Sequence, residues 1–188
     1  MHPTCKAILD AGTRNHGSVN NLDLLEKFYT TSINTMSRMN VPDKVIECGT
    51  EPIGMRGLFP IIEKISFAGM EFEVWESLGG HIAGQLLLFE PNLGMLFTSD
   101  AFINFATLSK ERADYCSIAD SMIGSVNVDS EIARTERKEL TRLAVELDAG
   151  LKKNGKYLLI CCGHGAVSKI DENGNLVPAS ELIHYSAE

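Results

Sequence analysis

The stretch YLLICC at 157–162 carries no charged side chain and no alternation. A strand apolar on both faces must be covered on both, which is the position of a central strand between layers. The residues before it, DSEIARTERKELTRLAVELDAGLKKN at 129–154, are spaced as one long amphipathic helix. Ile132, Leu140, Leu143, Leu147 and Leu151 form its inner stripe, and Gly155 follows a basic last turn. TCKAILD at 4–10 and QLLLFE at 85–90 read as similarly buried strands. Strands with intervening helices indicate an α/β chain.

The remaining elements fit one domain over 1–188. LDLLEKFYTTSINTMSRM at 22–39 is expected to be helical, capped by Asn20 or Asn21 and ended by Asn40-Val41-Pro42. KVIEC at 44–48 is a candidate strand, and the Gly- and Pro-rich CGTEPIGMRG after it reads as loop. IEKISFAG and MEFEVWES alternate around Gly69-Met70, which predicts a hairpin with Trp75 in the core. Pro91-Asn92-Leu93-Gly94 turns QLLLFE into MLFTS, so that Asp100 is expected at a strand end. SKERADYCSIADSM is expected to be helical, and SKIDENGNLVPAS is a hairpin with Glu172-Asn173-Gly174 at its turn. Arg134, Arg137, Lys138 and Arg142 among Glu131, Glu136 and Glu139 read as a solvated helix face.

The charge balance limits the partners. Seventeen Lys and Arg against 25 Asp and Glu give a net charge of -8. General nucleic-acid binding needs a basic stripe that this chain lacks. No apolar run approaches the ~20 residues of a membrane span. Five cysteines, with Cys161 and Cys162 adjacent, suit reduced thiols and a cytoplasmic location. The first 20 residues have no basic-then-apolar leader pattern.

Three loops after three strands each offer a metal-ligand type of side chain: His81 in GGHIAG, Asp100 in FTSDAF and His164 in CCGHGAV. Gly flanks both histidines, so backbone can pass close to a bound ion or ligand. Imidazole and carboxylate suit zinc or non-haem iron. Taken singly, a His is more often a hydrogen-bonded surface residue than a ligand, and a strand-end Asp is more often a cap. The joint pattern is what points to a site.

GGHIAGQLLLF, GMLFTSDAF and YLLICCGHGAV resemble, in order and context, three segments of the metallo-β-lactamase superfamily, over roughly residues 65–170. The resemblance implies an αββα sandwich of two sheets with helices outside, incomplete at its N-terminus. It also implies metal-ligand roles for His81, Asp100 and His164. The family's His-x-His-x-Asp-His signature does not occur here. Its nearest counterpart is AGTRNHGSV at 11–19, where His16 takes the place of the last His and Ala11, Thr13 and Asn15 replace the other ligands. On that alignment one site retains only His81. The other keeps His16, Asp100 and His164, enough for one zinc or iron ion or none per chain.

Three functions follow from the resemblance. The first is a metal-dependent hydrolase-like protein with an impaired site, acting on an ester, thioester or phosphoester of a small molecule, in which Asp100 also orients water. The second is a component like the family's di-iron oxidoreductases. The third is a non-catalytic subunit or binding module. Fifteen residues precede His16, too few for the strands that open the family's fold, so those strands are expected to be missing. An unpaired sheet edge is then expected, favouring a homo-oligomer or a complementing half-domain, through the N-terminal strand or the helix beginning near Leu22.

Overall fold

The structure is a computed structural model that describes residues 1–7, 44–104, 111 and 127–180. Eight strands form one sheet in sequence order: β1 Gly54–Arg56, β2 Phe59–Phe67, β3 Met70–Glu76, β4 Leu86–Glu90, β5 Met95–Asn104, β6 Leu159–Gly165, β7 Ser168–Ile170 and β8 Leu176–Pro178. Each strand pairs antiparallel with its successor, except β5 and β6, which run parallel. Between those two lies helix α1, Ser130–Lys152. A parallel pair needs such a long crossover, which a tight turn cannot provide.

This corrects the expected αββα sandwich. Among the described residues there is one mixed sheet, one long helix and a short helical stretch at 3–7. The physical reason is the connections. Tight turns and one longer loop, 77–85, lay β1 to β5 side by side, the crossover places β6 directly beside β5, and β7 and β8 extend that same sheet.

Several local expectations change as well. The strand expected from residue 4 is helical over 3–7, opened by Pro3, whose fixed φ suits a first helical turn. The segment 44–48 is irregular. Its Cys48 N–H donates to the Met1 carbonyl at 3.0 Å, so its backbone partner lies at the N-terminus and outside the sheet. Part of the expected 48–57 loop is strand β1. It pairs antiparallel with β2, Gly54 opposite Ile61 and Arg56 opposite Phe59. The helix expected over 22–39, most of 109–122, and residues 8–10 of the first strand lie outside the described residues.

The sheet buries apolar side chains on both faces. One face carries Phe59, Ile61, Trp75, Leu87, Phe89 and Leu96, and meets Leu140, Leu143, Ala144 and Leu151 of α1. Trp75 is fully buried, its ring centroid 6.2 Å from Phe59 and 5.4 Å from Phe89. Its indole N–H donates to Glu73 at 3.0 Å, and Arg56 holds the same carboxylate with two hydrogen bonds of 2.9 and 3.0 Å. Burial opposes charge on Glu73, but Arg56 and the indole keep its pKa below the usual range. The opposite face carries buried Ile62, Phe72 and Val74.

Helix α1 starts where Asp129 Oδ1 accepts the N–H groups of Glu131 and Ile132, at 2.9 and 3.0 Å. Ile132, expected on the inner stripe, is instead exposed in the first turn. At the other end Asp148 accepts from Leu158 N–H at 2.9 Å and pairs with Lys152, tying the helix to the start of β6.

The β2–β3 hairpin turns through Ala68 and Gly69, with φ of 52° and 80°. A two-residue turn with both φ positive favours Asn-Gly, whereas alanine in that region is strained. Ala68→Asn should therefore stabilise the protein by about 0.5–1 kcal/mol. An unchanged or lowered urea midpoint would contradict this reading of the turn.

Candidate functional site

Strands β3, β5 and β6 run in the same direction, since β4 is antiparallel to both neighbours and β5 is parallel to β6. The loop after β3 therefore emerges at the sheet end toward which β5 and β6 point. That loop carries His81, β5 carries Asp100 and β6 carries His164. The three side chains meet there. His81 Nε2 lies 3.4 Å from Asp100 Oδ2, and His164 Nε2 lies 3.5 Å from Asp100 Oδ1. His16 lies outside the described residues.

Asp100 is not at a strand end, as the turn spacing suggested, but inside β5. The β5–β6 register is broken on both sides of Ser99, and Ser99 itself has φ of 49°. An irregularity of this kind re-aims a side chain within a strand. A left-handed non-glycine residue next to a candidate site is strain of the sort that active sites hold. Gly163 faces it: a Cβ there would come 2.0 Å from Asp100 Oδ1 and 2.9 Å from the Ser99 carbonyl carbon. Gln85, oriented as its neighbours require, accepts the N–H groups of Asp100 at 3.2 Å and Ala101 at 2.8 Å. The carboxylate is thus fixed from its own backbone and from the adjacent strand. Gly163→Ala should displace Asp100 and weaken whatever the site binds, a change that a crystal structure of the variant would show directly.

The His81 loop is fastened to the helix. Val128 N–H donates to the His81 carbonyl at 3.0 Å and Asp129 N–H to the Gly80 carbonyl at 2.9 Å. Gly80 packs so closely on Ala133 that a Cβ would lie 2.3 Å from its backbone nitrogen. Asn127 Oδ1 lies 3.0 Å from His81 Nδ1. Beneath the loop, fully buried Glu136 accepts Leu78 N–H at 3.3 Å. The sequence placed Glu136 on a solvated face, yet it lies among the inner positions Ala133, Leu140 and Leu143. Burial pushes its pKa up.

Exposure grades across the three residues. The side chain of His81 is 13% exposed and that of His164 is 70%. His164 is therefore the group nearest solvent, and a ligand entering from water meets it first. Burial pushes the His81 pKa down, but hydrogen bonding to Asp100 and Asn127 outweighs this and raises it above the ordinary value. The hydrogen bond from His81, with added attraction from both imidazoles, lowers Asp100.

These shifts fix a pH dependence. His81 contributes its stabilisation fully below the ordinary imidazole value of ~6.5 and loses it as pH rises through its raised pKa. Asp100 contributes above the ordinary carboxyl value of ~3.9 and loses it as pH falls through its lowered pKa. The pair is thus strongest in weakly acidic solution. Asp100→Asn should cost about 1 kcal/mol near pH ~5.5, and the difference from wild type should shrink toward pH ~9. Urea midpoints at the two pH values measure it, and a difference that grows with pH would contradict the assignment.

Two imidazoles and a carboxylate are a donor set for zinc or non-haem iron. The separations of 3.4 and 3.5 Å approach the ligand–ligand edge of a tetrahedron with bonds of ~2.0–2.1 Å. The two rings face different oxygens of Asp100, however. Among the described residues no group of three or more His, Cys, Asp or Glu converges to hold one ion.

Comparison with protein-family models, with curated proteins and with solved structures found no match for this chain. Among the described residues no helix is long and apolar enough to cross a membrane.

The sequence motifs did not mark Asn127, Gln85, Glu136 or Ser99. Glu136 had a signal, its helical spacing from Ala133 and Leu140. The other three act through partners in different elements, and nothing local distinguishes them.

Proposed function

We propose that the chain carries a hydrolase-like centre dependent on one divalent ion, zinc or iron, and acting on an ester, thioester or phosphoester of a small molecule. The observation that supports it is the meeting of His81, Asp100 and His164 from three strands that point to one sheet end. Asp100 would hold the ion together with one or both imidazoles. An ion bound there would supply Lewis acidity toward water and toward the oxygen of the scissile bond. The chain's own part is orientation. The strained Ser99 turn and Gln85 aim the Asp100 carboxylate, which holds and orients water, and Asn127 aims His81. His164, the exposed member, faces the incoming substrate and can exchange a proton with a leaving group.

The resemblance to metallo-β-lactamase segments supports this reading through residues alone, because the single sheet departs from that family's sandwich. The second reading, a non-catalytic subunit or binding module, is favoured by the lack of a three-donor group among the described residues. The two separate on one experiment. Metal-stripped protein is loaded with zinc or ferrous iron, dialysed, and assayed against ester, thioester and phosphoester substrates. The hydrolase reading expects no more than one retained ion per chain and turnover that depends on it. No retained metal and no turnover would establish the non-catalytic subunit.

Assembly as a homo-oligomer belongs to the same proposal. Among the described residues strand β1 ends the sheet, and Ile53, Met55 and Leu58 at and beside it are exposed. Such an edge invites pairing with a second copy. Sedimentation at micromolar concentration should give a dimer or larger species, and a monomer of 20.6 kDa would exclude an obligate oligomer.

A further inference from the structure

We propose that Glu136 is a positioning residue: its buried carboxylate seats residues 77–80 on α1 and thereby sets the reach of His81 to Asp100. This rests on the reading of His81 as a member of the centre, but its first test needs neither metal nor activity.

Strand β3 ends at Glu76 and β4 begins at Leu86, so the backbone between them leaves the ladder. Ser77 N–H donates to the Gln85 carbonyl at 3.0 Å and closes the loop at its base. Just above that base Leu78 N–H donates to Glu136 Oε1 at 3.3 Å. The direction of this bond is fixed, because a backbone N–H only donates and a carboxylate oxygen accepts. Ser77 Oγ accepts Gly79 N–H at 3.1 Å, and Ser77 and Gly80 add their attraction to the same carboxylate. Ala133 lies three residues before Glu136, on the same inner face of α1. It presses on Gly80, where a Cβ would lie 2.3 Å from the Ala133 backbone nitrogen. Neighbouring positions of one helix face thus hold residues 78 and 80, and His81 is the next residue in the chain.

Packing alone does not call for an acid here. Glu136 shares the inner stripe with Ala133, Leu140 and Leu143, and it is fully buried. Its Oε2 has no hydrogen-bond partner among the described residues. Leucine would fill such a position without burying a polar atom, so the carboxylate is unfavourable on packing grounds. What it supplies is an acceptor for a loop N–H group that lies beyond the end of its strand.

Two substitutions separate the acceptor from the bulk. Glu136→Gln keeps an oxygen for Leu78 N–H, and Glu136→Leu keeps similar volume without one. Crystal structures of the metal-free chains give the first readout. Wild type and Glu136→Gln should hold His81 Nε2 beside Asp100, as in the 3.4 Å contact, whereas Glu136→Leu should release the loop and carry the imidazole out of hydrogen-bond reach. As a second readout, zinc affinity should fall ~10–100-fold in Glu136→Leu and stay near wild type in Glu136→Gln. A merely structural role predicts a different pattern, a lowered urea midpoint in Glu136→Leu with His81 in place and zinc affinity unchanged. That pattern, or equal losses in the two variants, would overturn the proposal. Where Glu136→Leu fails to fold, native-state amide exchange decides. Leu78 N–H should be protected in wild type and in Glu136→Gln, and exchange at the rate of an open loop would overturn the proposal. His81 released in Glu136→Leu, together with a wild type that binds no zinc, would leave the role of Glu136 standing and remove the metal-dependent hydrolase.

Discussion

On the hydrolase reading proposed above, Asp100→Ala should lower the metal-dependent turnover by ~10²–10⁴-fold while the chain stays folded. Among the described residues Asp100 is the side chain that faces both imidazoles, at 3.4 and 3.5 Å, so its removal disconnects His81 from His164. No other described group offers a carboxylate there, and Glu136 is buried beneath the loop with its Oε1 engaged by Leu78 N–H. His164→Ala should cost less, because His164 touches only one oxygen of Asp100 and is the most exposed of the three. Steady-state assays on the metal-loaded proteins rank the two. Equal losses would mean that Asp100 is not the hub, and retained turnover in Asp100→Ala would place the chemistry elsewhere.

The second large effect concerns the fold. Trp75→Ala should destabilise the protein by about 3–5 kcal/mol, as expected for truncating a fully buried aromatic. The indole fills the space between Phe59, Phe89 and α1, and it donates to Glu73. Its loss leaves a cavity and removes one of the hydrogen bonds that hold Glu73 ionised. Trp75→Phe should cost less, since it keeps most of the ring volume and gives up the donor. Urea denaturation of the three proteins measures the series. A loss below about 1 kcal/mol in Trp75→Ala would show that the core is not organised around this residue.

Much of the sheet is legible from residues because its signals are local. Alternation in IEKISFAG and MEFEVWES around Gly69-Met70, and the turn at Glu172-Asn173-Gly174, each mark a hairpin within a dozen residues, although the first turn falls one residue earlier, at Ala68-Gly69. The long helix is equally plain, apart from Ile132, where a cap at Asp129 leaves the first turn outside the core. The architecture is not local. Whether strands β1 to β8 divide into two sheets or continue as one depends on which edge each strand finds, and a resemblance carried by three loops cannot decide that. Strand β1 was hidden for a related reason. Gly54-Met55-Arg56 looks like loop, and it becomes strand by pairing with 59–61 of β2 while Arg56 reaches buried Glu73.

The candidate site divides along the same line. His81, Asp100 and His164 are visible because each combines a ligand-type side chain with glycine or a strand end. Their support is not visible. Gln85 reaches the backbone of β5, and Asn127 reaches a ring 46 residues away, so neither leaves a trace in spacing. Position within the strand was also misread for Asp100, because a break in register lets a mid-strand residue point into the crevice.

X-ray absorption at the zinc edge of zinc-loaded protein tests the central claim most directly, since it reads the atoms around the ion. The account predicts a sphere of nitrogen and oxygen donors at ~2.0–2.2 Å with the outer-shell scattering of imidazole, and loss of that sphere in Asp100→Ala. A zinc ion surrounded by sulfur at ~2.3 Å, by water-like oxygen without imidazole, or unchanged in Asp100→Ala would contradict it.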